Sequence, residues 1–438
     1  GIKTGNNNGA LRFWWEVDGE EIYENNKSNF KWIQYAKGGP FKRWYGNNWL
    51  CIDARNNFGF IKSQNSWSIP PKEYFLTEGI SYSGSGSKGI SFRYIEDDKL
   101  YDMGASGVFP KEDVYYSLSA LNSKLIFYIV NCLNPTVNKQ PNDVKRIPLE
   151  KASKEDISFL IPLAKKCIEI QKVIDNYSIL ENEFSISPII TFLKADLRKI
   201  FLDFLNWEND KYTQILLNEA IVNKKIFEVY NLNEADKAMV LAKEGESIGA
   251  LPVSPAAKIA YLANEVAEFP LENIKDYLQN LPEQEFEVGA REAIENEFPQ
   301  LYQSNNDLEE FCIRHQVNPI NVWYWFKESN IIPKQRMNDL AMEFLADMLR
   351  EILMEDDDGI IPLVPNAGEK VLLDRIEEKF IEKGFSMAQY SSFDSVLGRE
   401  LNDYINNHFF KNFSDHLNLF MYLPKTPFIW HLTSGSQQ

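Results

Sequence analysis

Short alternations of apolar and polar residues dominate the first 150 positions of the chain. Residues 30–35 alternate with period two, as expected of a half-buried strand. Residues 11–17, 48–53 and 90–94 are rich in aromatic and β-branched side chains, which also favour strands. Residues 56–68 are rich in Asn, Ser and Gly and predict a loop. The pattern therefore predicts a β-rich region over residues 1–150.

The pattern changes to helical spacing within this region, at residues 113–133. The apolar positions that carry it are Val114, Leu118, Leu121, Leu125 and Ile129. Asp113 is a suitable N-cap, and Pro135 disfavours helix in the residue before it. The sequence predicts one helix here, followed by a polar, hydrogen-bonding loop over residues 136–143.

Residues 151–438 are predominantly of helical pattern. A capping sequence starts a long amphipathic run at Ser153, and separate helices are predicted over 190–207 and 212–229. Residues 233–250 carry acidic and small side chains, and 247–250 with Pro252 and Pro255 are interpreted as a link. Residues 337–354 are the clearest helix, and their apolar stripe is interpreted as core. The predicted class is α+β: a β-rich domain over 1–150, a helical spacer over 151–235, a helical domain over 236–360 and a C-terminal helical segment over 361–438.

Composition narrows the class of protein. The hydrophobic fraction of 44% and charged fraction of 25% are typical of a globular protein, and no apolar run approaches the ~18 residues of a membrane helix. Four scattered cysteines favour a reducing compartment over a structural zinc site. The chain has no starting Met, and the apolar residues 427–432 lie close to its end. We therefore expect a piece of a longer protein whose last segment is truncated.

The charge is unevenly distributed along the chain. The net charge is −17, yet residues 1–150 hold 18 Lys and Arg against 16 Asp and Glu, a balance of +2. The remaining residues carry −19. An anion-binding surface is therefore expected in the first 150 residues, since the acidic remainder would repel a polyanion.

The most distinctive segment is residues 36–48. It interleaves three cations with three aromatic side chains between two turns: Lys37, Phe41, Lys42, Arg43, Trp44 and Tyr45. Cations beside flat rings suit a polyanion that presents rings of its own, namely nucleic acid. The alternative is a surface hairpin whose aromatic side chains cap a small core.

Other motifs argue against catalysis in this chain. Residues 84–89 are rich in glycine, but Lys88 is followed by glycine rather than by Ser or Thr, which excludes a P-loop and leaves a possible phosphate contact through Lys88. Residues 69–72 lack the polar and aromatic neighbours that amino-methyltransferases place around a proline pair. The acidic run 355–359 has Pro365 where an EF-hand needs Glu, so a solvated loop is expected.

Several segments together resemble one family. They are residues 1–7, 11–14, 37–47, 78–83, 120–124 and 133–136. In this order they resemble the downstream half of the PglX adenine-specific DNA methyltransferases of BREX phage-defence systems, which are similar to type IIG restriction-modification enzymes.

The resemblance implies a DNA target-recognition domain over 1–150 followed by a helical region. The parent protein would methylate adenine N6 in a bacterial or archaeal cytoplasm, with S-adenosyl-L-methionine held by a methyltransferase domain upstream of Gly1. No cofactor is expected in this chain. The implied partners are double-stranded DNA, that upstream domain and other BREX subunits, and no membrane is expected.

Under this hypothesis, phosphate contacts are assigned to five cations: Lys37, Lys42, Arg43, Lys88 and Lys139. Base edges would be read by Arg43, Arg93, Asn138 and Gln140. The remaining predicted DNA-binding residues are Thr4, Asn6, Arg12, Trp44, Ser81, Tyr82 and Thr136, and Thr4 and Asn6 have contact with the catalytic domain as an alternative.

Two other functions remain open at this stage. The acidic helices of 151–438 could form a scaffold that binds other defence-system subunits. A carbohydrate-binding β-module would use the aromatic residues around Trp44, but it would not explain the neighbouring cations.

Overall fold

The computed structural model describes residues 1–24, 30–84, 86, 88–264, 272–303, 306–365 and 368–418. In this part of the chain every strand lies before residue 109. The strands are β1 (Leu11–Phe13), β2 (Trp32–Ala36), β3 (Leu50–Asp53), β4 (Gly79–Ser83), β5 (Ser91–Ile95), β6 (Lys99–Tyr101) and β7 (Gly107–Val108).

The strands form two small sheets. The first has the order β1-β3-β2-β6, in which β1 and β2 pair antiparallel with β3, and β6 pairs parallel with β2. The second has the order β5-β4-β7 and is antiparallel. Trp44 joins the second sheet through one bridge to Arg93, with Trp44 N donating to the Phe92 carbonyl at 3.0 Å. This bridge anchors segment 36–48 beside β5.

Helices account for most of the rest. They are α1 (Asn7–Ala10), α2 (Arg55–Lys62), α3 (Val114–Leu121), α4 (Lys124–Leu133), α5 (Pro141–Lys145), α6 (Lys154–Asp175), α7 (Pro188–Thr191), α8 (Leu197–Val229), α9 (Glu234–Glu244), α10 (Pro255–Leu262), α11 (Glu272–Gln279), α12 (Val288–Glu295), α13 (Leu308–His315), α14 (Pro319–Ser329), α15 (Lys334–Glu355), α16 (Leu372–Glu382), α17 (Met387–Leu397), α18 (Leu401–Tyr404) and α19 (Phe410–Asn418). A π-helix over Ile405–Phe409 links the last two, and 3-10 helices occur at Trp14–Glu16, Gly19–Glu21, Lys72–Tyr74, Met103–Ala105, Ile248–Ala250 and Phe298–Gln300.

The α+β class predicted from the sequence is confirmed. Two predicted N-caps are also confirmed: Asp113 accepts from the backbone of Tyr115 and Tyr116 at 2.9 Å, and Ser153 accepts from that of Asp156 at 3.0 Å. Of the helices in the described ranges, none has the length and apolarity that crossing a membrane requires.

Several predicted element boundaries are wrong. The helix predicted over 113–133 is two helices, because Asn122 leaves the helix and bonds the backbone of Phe92, and Ser123 caps α4. The helices predicted over 190–207 and 212–229 are one helix from residue 197, α8. The loop predicted over 56–68 contains all of α2 except its first residue, and α2 begins with a left-handed turn. Likewise, α5 begins within the loop predicted over 136–143, and a 3-10 helix occupies the second half of the strand predicted over 11–17. The apolar segment 427–432 lies outside the described residues.

The hydrophobic core crosses the predicted boundary at residue 150. One cluster joins Trp44, Tyr45 and Phe92 of the β-rich region to Leu160 of α6 and Ile221 of α8. The first sheet has a smaller cluster of its own. A third cluster occupies the helices after residue 179 and includes the predicted apolar stripe of α15. The domain division itself stays a prediction.

Candidate nucleic-acid interface

The cationic segment 36–48 lies between the second sheet and the helices. The Lys42 ammonium is 2.6 Å from the carboxylate of Asp175, the last residue of α6, and 2.8 Å from that of Glu181. Glu181 also accepts hydrogen bonds from the backbone of Asn47 at 3.1 Å and of Asn48 at 2.8 Å. Lys42 and the turn after it are therefore bound to the end of α6 and to the chain that follows it.

Arg43 is bound in the same way by two other helices. Its Nη2 donates to Glu219 of α8 at 2.8 Å and to Glu309 of α13 at 2.7 Å. Its guanidinium also lies 5.3 Å from the centre of the Phe41 ring. The indole of Trp44 is buried and donates to Glu219 at 2.7 Å. One carboxylate thus orients both a cation and an aromatic ring that sequence reasoning assigned to DNA.

The four carboxylates that bind Lys42 and Arg43 are here called the acidic clasp: Asp175, Glu181, Glu219 and Glu309. Burial lowers the pKa of Lys42, but Asp175 and Glu181 outweigh it and raise that pKa above its ordinary value. Burial also lowers the pKa of Arg43, but Glu219 and Glu309 outweigh it and raise that pKa above its ordinary value. Both cations therefore remain charged, and their charge is compensated inside the protein.

Tyr45 extends this network towards β6. Its hydroxyl lies at hydrogen-bonding distance from the carboxylates of Glu96, at 2.9 Å, and Glu183. The ammonium of Lys172 lies 4.7 Å from the ring centre and also pairs with Glu96. Lys99 of β6 pairs with Glu96 at 2.8 Å. Burial alone would raise the pKa of Glu96, but Lys99 and Lys172 lower it to about 2.

The second sheet holds three further predicted residues in its interior. Ser81 and Tyr82 lie buried in β4, and Arg93 in β5 is only 1% exposed. Arg93 Nη1 donates to the carbonyl of Lys42 and to Ser91 Oγ, both at 3.3 Å, while its Nε and Nη2 have no hydrogen-bond partner within the described ranges. Burial lowers the pKa of Arg93 to about 10, against the opposing effect of Glu181.

The two remaining cations of this region are partly covered. Lys88 pairs with Asp307 at 2.8 Å and Glu310 at 3.5 Å, both near the start of α13. Lys37 is half-buried, and burial lowers its pKa despite the nearby charge of Asp102. Neither position resembles an open phosphate site.

The predicted polar loop after α4 is exposed at three of its four predicted positions. Thr136, Asn138 and Gln140 are exposed, and the Asn134 side chain holds the loop by accepting from the backbone of Thr136 at 2.9 Å. Lys139 is buried instead, and its ammonium binds back within the same loop and α4. Burial lowers its pKa.

The predicted residues near the N-terminus have different exposures. Asn6 is exposed and caps α1, accepting from the backbone of Gly9 at 3.1 Å. Thr4 is buried and donates to the Asn7 side chain at 2.5 Å. Arg12 is half-buried, on strand β1.

The predicted residues do not form one surface. Asn6, Thr136, Asn138 and Gln140 are exposed, and Arg12 is half-buried. DNA contact by any of the predicted residues stays a prediction. Sequence reasoning missed the acidic clasp, although the excess of −19 in residues 151–438 was a signal that cations of the first region would find partners there.

The site shows no sign of a metal centre. Over the described part of the chain, no three histidine, cysteine or carboxylate side chains are grouped closely enough to hold a metal ion. In the acidic run, Asp356 pairs with Arg375 at 2.7 Å.

Comparison with known proteins places this geometry in context. No family model matches the chain. The adenine-specific methyltransferase BrxX of Escherichia coli O9:H4 (strain HS) is 31% identical over 223 residues, which cover 50% of this chain and 18% of BrxX. The chain is similar to part of a PglX-type methyltransferase. The adenine-specific methyltransferase PglX of Lacticaseibacillus casei (strain Zhang) is 26% identical over 258 residues, covering 53% of this chain and 21% of PglX.

The comparisons confirm the resemblance to PglX-type proteins that the sequence motifs predicted. The chain spans about a fifth of the length of the curated relatives it matches.

Proposed function

We propose that this chain is the DNA-recognition portion of a site-specific adenine-N6 DNA methyltransferase in bacterial phage defence of the BREX type. The observation that carries the proposal is its 31% and 26% identity to two adenine-specific methyltransferases, each over about half of the chain. Methyl transfer belongs, in this proposal, to other parts of the longer protein.

The division of labour follows from the chemistry of adenine methylation. A methyltransferase must rotate its target base out of the duplex, and separate contacts must hold the site in register meanwhile. Phosphate contacts set the position, and amide or guanidinium groups read base edges. A β-rich region braced by helices can present such groups on a rigid support.

The described residues do not fit an S-adenosyl-L-methionine pocket of the usual doubly wound type. Such pockets lie at the carboxyl ends of a parallel sheet, beside a glycine-rich turn into a helix. In the two described sheets, the strand pairs are antiparallel except β2 with β6. We therefore assign the cofactor to the longer protein and derive no catalytic step for this chain.

Duplex binding tests the proposed function. Fluorescence anisotropy would measure the affinity of the chain for a labelled duplex at about 50 and 200 mM salt. Three phosphate contacts would weaken binding about 40-fold over that range, because each contact releases condensed counterions. A duplex with uncharged methylphosphonate linkages is the matched control and should bind weakly at both concentrations. Absence of duplex binding, or binding that salt leaves unchanged, would contradict the proposal.

A scaffold that binds other defence-system subunits is the second candidate. The observation that favours it is a short exposed apolar segment beside the acidic run, with Ile360, Leu363 and Val364 all exposed. Changing these three residues to Ser should abolish co-purification with those subunits and leave DNA affinity unchanged. Co-purification that survives the substitutions would count against this segment as the docking site.

A further inference from the structure

Two stretches of the sequence contain no carboxylate at all. They are residues 1–15 and 54–72, which together make 34 residues. With 63 Asp and Glu in 438 residues, about five would be expected there. The stretches contain five cations: Lys3, Arg12, Arg55, Lys62 and Lys72. They also contain seven side-chain amides: Asn6, Asn7, Asn8, Asn56, Asn57, Gln64 and Asn65.

The fold brings these two stretches together. The backbones of Lys3 and Ser68 exchange two hydrogen bonds, at 2.8 and 3.0 Å. Gly5 has φ +72°, and a Cβ there would lie 2.6 Å from the carbonyl oxygen of Ser66. A Cβ on Gly9 would lie 2.2 Å from the Phe60 ring. Glycine at both positions therefore allows close contact, and the resulting surface of residues 3–12 and 55–68 is here called the amide face.

The amide face exposes groups that can read bases. Asn6, Asn56 and Asn57 are exposed, and a side-chain amide can donate to and accept from adenine in the major groove. Phe60 is 37% exposed and Trp67 is 44% exposed. Exposed aromatic rings can pack against sugars or unstacked bases. These groups are fixed to the first sheet, because β1 and β3 flank them.

An unusual backbone displays two of these amides. Asn56, Asn57 and Phe58 have φ values of 51°, 54° and 60°, so three successive residues without a glycine are left-handed. Each such residue costs about 1–2 kcal/mol, and asparagine tolerates it best. The buried ring of Phe58 packs against Phe75 at 5.7 Å and anchors the turn. Backbone strain of this kind is concentrated at functional positions.

The charge of this face is cancelled less completely than at the acidic clasp, although Arg12 lies near the carboxylate of Glu16 and Arg55 near that of Glu21. A hollow at its centre is lined by six residues, Gly9, Arg12, Asp53, Arg55, Asn56 and Phe60. The single carboxylate among them, Asp53, is bound by Arg55 at 2.9 and 2.7 Å. Arg12 Nη1 donates to the carbonyls of Asn8 and Leu11, at 2.8 and 2.7 Å, which orients its guanidinium.

We propose that the amide face is the surface through which this chain contacts and reads duplex DNA. The inference rests on the proposed function and specifies where recognition occurs. Lys3, Arg12 and Lys62 supply phosphate contacts, and the exposed asparagines face the bases. In a chain of net charge −17, a surface with cations, amides and one neutralised carboxylate is where a polyanion meets least repulsion.

The test compares two charge-matched triple variants in the same anisotropy assay. Lys3→Ala/Arg12→Ala/Lys62→Ala removes three of the four cations of the amide face and leaves Arg55, which pairs with Asp53. Lys151→Ala/Lys224→Ala/Lys334→Ala removes three exposed cations of the helical region. Each lost phosphate contact should reduce the steepness of log affinity against log salt by about 0.9. The first variant loses three such contacts, so its slope should be smaller in magnitude by about 2.7. Its affinity at 0.1 M salt should fall by on the order of 100-fold, while the control variant stays within about threefold.

The outcomes separate the two proposals. If the unsubstituted chain binds duplex DNA and both triple variants bind equally well, the amide face is excluded while DNA recognition stands. If the unsubstituted chain binds no duplex, the proposed function fails and this inference fails with it.

A second variant keeps the test decisive if the first one does not fold. Asn56→Asp/Asn57→Asp preserves side-chain shape and tolerance of a left-handed backbone, and adds two negative charges to the face. Duplex affinity should fall at least tenfold, with an unchanged melting temperature. Unchanged affinity would overturn the inference.

Discussion

Segment 36–48 and the amide face have similar local composition and opposite surroundings. The segment combines three cations with aromatic rings, and the amide face combines four cations with aromatic rings. Two of the three cations of the segment, Lys42 and Arg43, pair with the carboxylates of the acidic clasp. The amide face has one carboxylate in its central hollow, already bound by Arg55. The comparison teaches that a cation in a sequence becomes a ligand-binding group only if the fold leaves its charge uncompensated.

The strongest test of this comparison is Lys42→Ala. The substitution leaves Asp175 and Glu181 buried without their cation, so the free energy of unfolding should fall by about 3–5 kcal/mol. Urea unfolding followed by tryptophan fluorescence would measure the loss. The control Lys151→Ala removes an exposed cation and should change stability by less than about 0.5 kcal/mol. If Lys42→Ala keeps its stability and loses DNA affinity, Lys42 binds DNA rather than the acidic clasp, and the contrast between the two regions is wrong.

The acidic clasp should also make stability depend on pH. Burial raises the pKa of Glu219 to about 7, although Arg43 lowers it, and Glu309 raises it further. The unfolded carboxyl loses its proton near pH 4.3, so between about pH 4.5 and 7 the folded state binds more protons and this contribution to stability falls as pH rises.

Glu219→Gln should remove that dependence. Between pH 5 and 8 the free energy of unfolding of the unsubstituted chain should fall by on the order of 2–3 kcal/mol more than that of the variant. Melting temperatures of both proteins across this range give the difference in their stability. Other titrating groups contribute equally to both proteins, so their contributions cancel in this difference. Parallel plots of melting temperature against pH for the two proteins would show that Glu219 does not titrate between pH 5 and 8.

A smaller effect is expected at the exposed loop after α4. If this loop is a second contact with DNA, Gln140→Ala should cost about 1–2 kcal/mol of binding, or about 5–30-fold in affinity, because a glutamine amide can pair with adenine. Gln284→Ala, which also changes an exposed glutamine, is the control. Equal affinity of the two variants would confine DNA contact to the amide face.

The smallest effect is expected from Lys88→Ala. Its partners Asp307 and Glu310 are largely exposed, and such pairs contribute less than about 1 kcal/mol and weaken with salt. Thermal melting should change little, and the salt dependence of DNA binding should not change. A reduced salt slope would instead support the phosphate contact predicted from the glycine-rich loop.

Local signals predicted much of the helical structure. The caps Asp113 and Ser153, the end of α4 before Pro135 and the apolar stripe of α15 are all where the sequence placed them. These features depend on neighbours within a few residues, which is why periodicity and capping chemistry identify them.

The errors occurred where distant residues changed the local preference. Residues 208–211 are polar and resembled a break, yet α8 continues through them because they are buried with partners. Glu208 pairs with Arg336, and Asp210 accepts from Gln214 and Asn264. Likewise, the bonds from Asn122 to Phe92 end α3 in a stretch whose apolar spacing alone predicts a continuous helix.

The sequence alone determined the α+β class, several helix caps, the apolar stripe of α15 and the resemblance to PglX-type methyltransferases. Only the tertiary structure decided which cations face solvent. Lys42 meets Asp175 across 133 positions and Arg43 meets Glu309 across 266. The amide face likewise joins stretches about 50 residues apart. Electrostatic compensation acts over a few ångströms in space, so no local reading of charge could have separated the buried cations from the available ones.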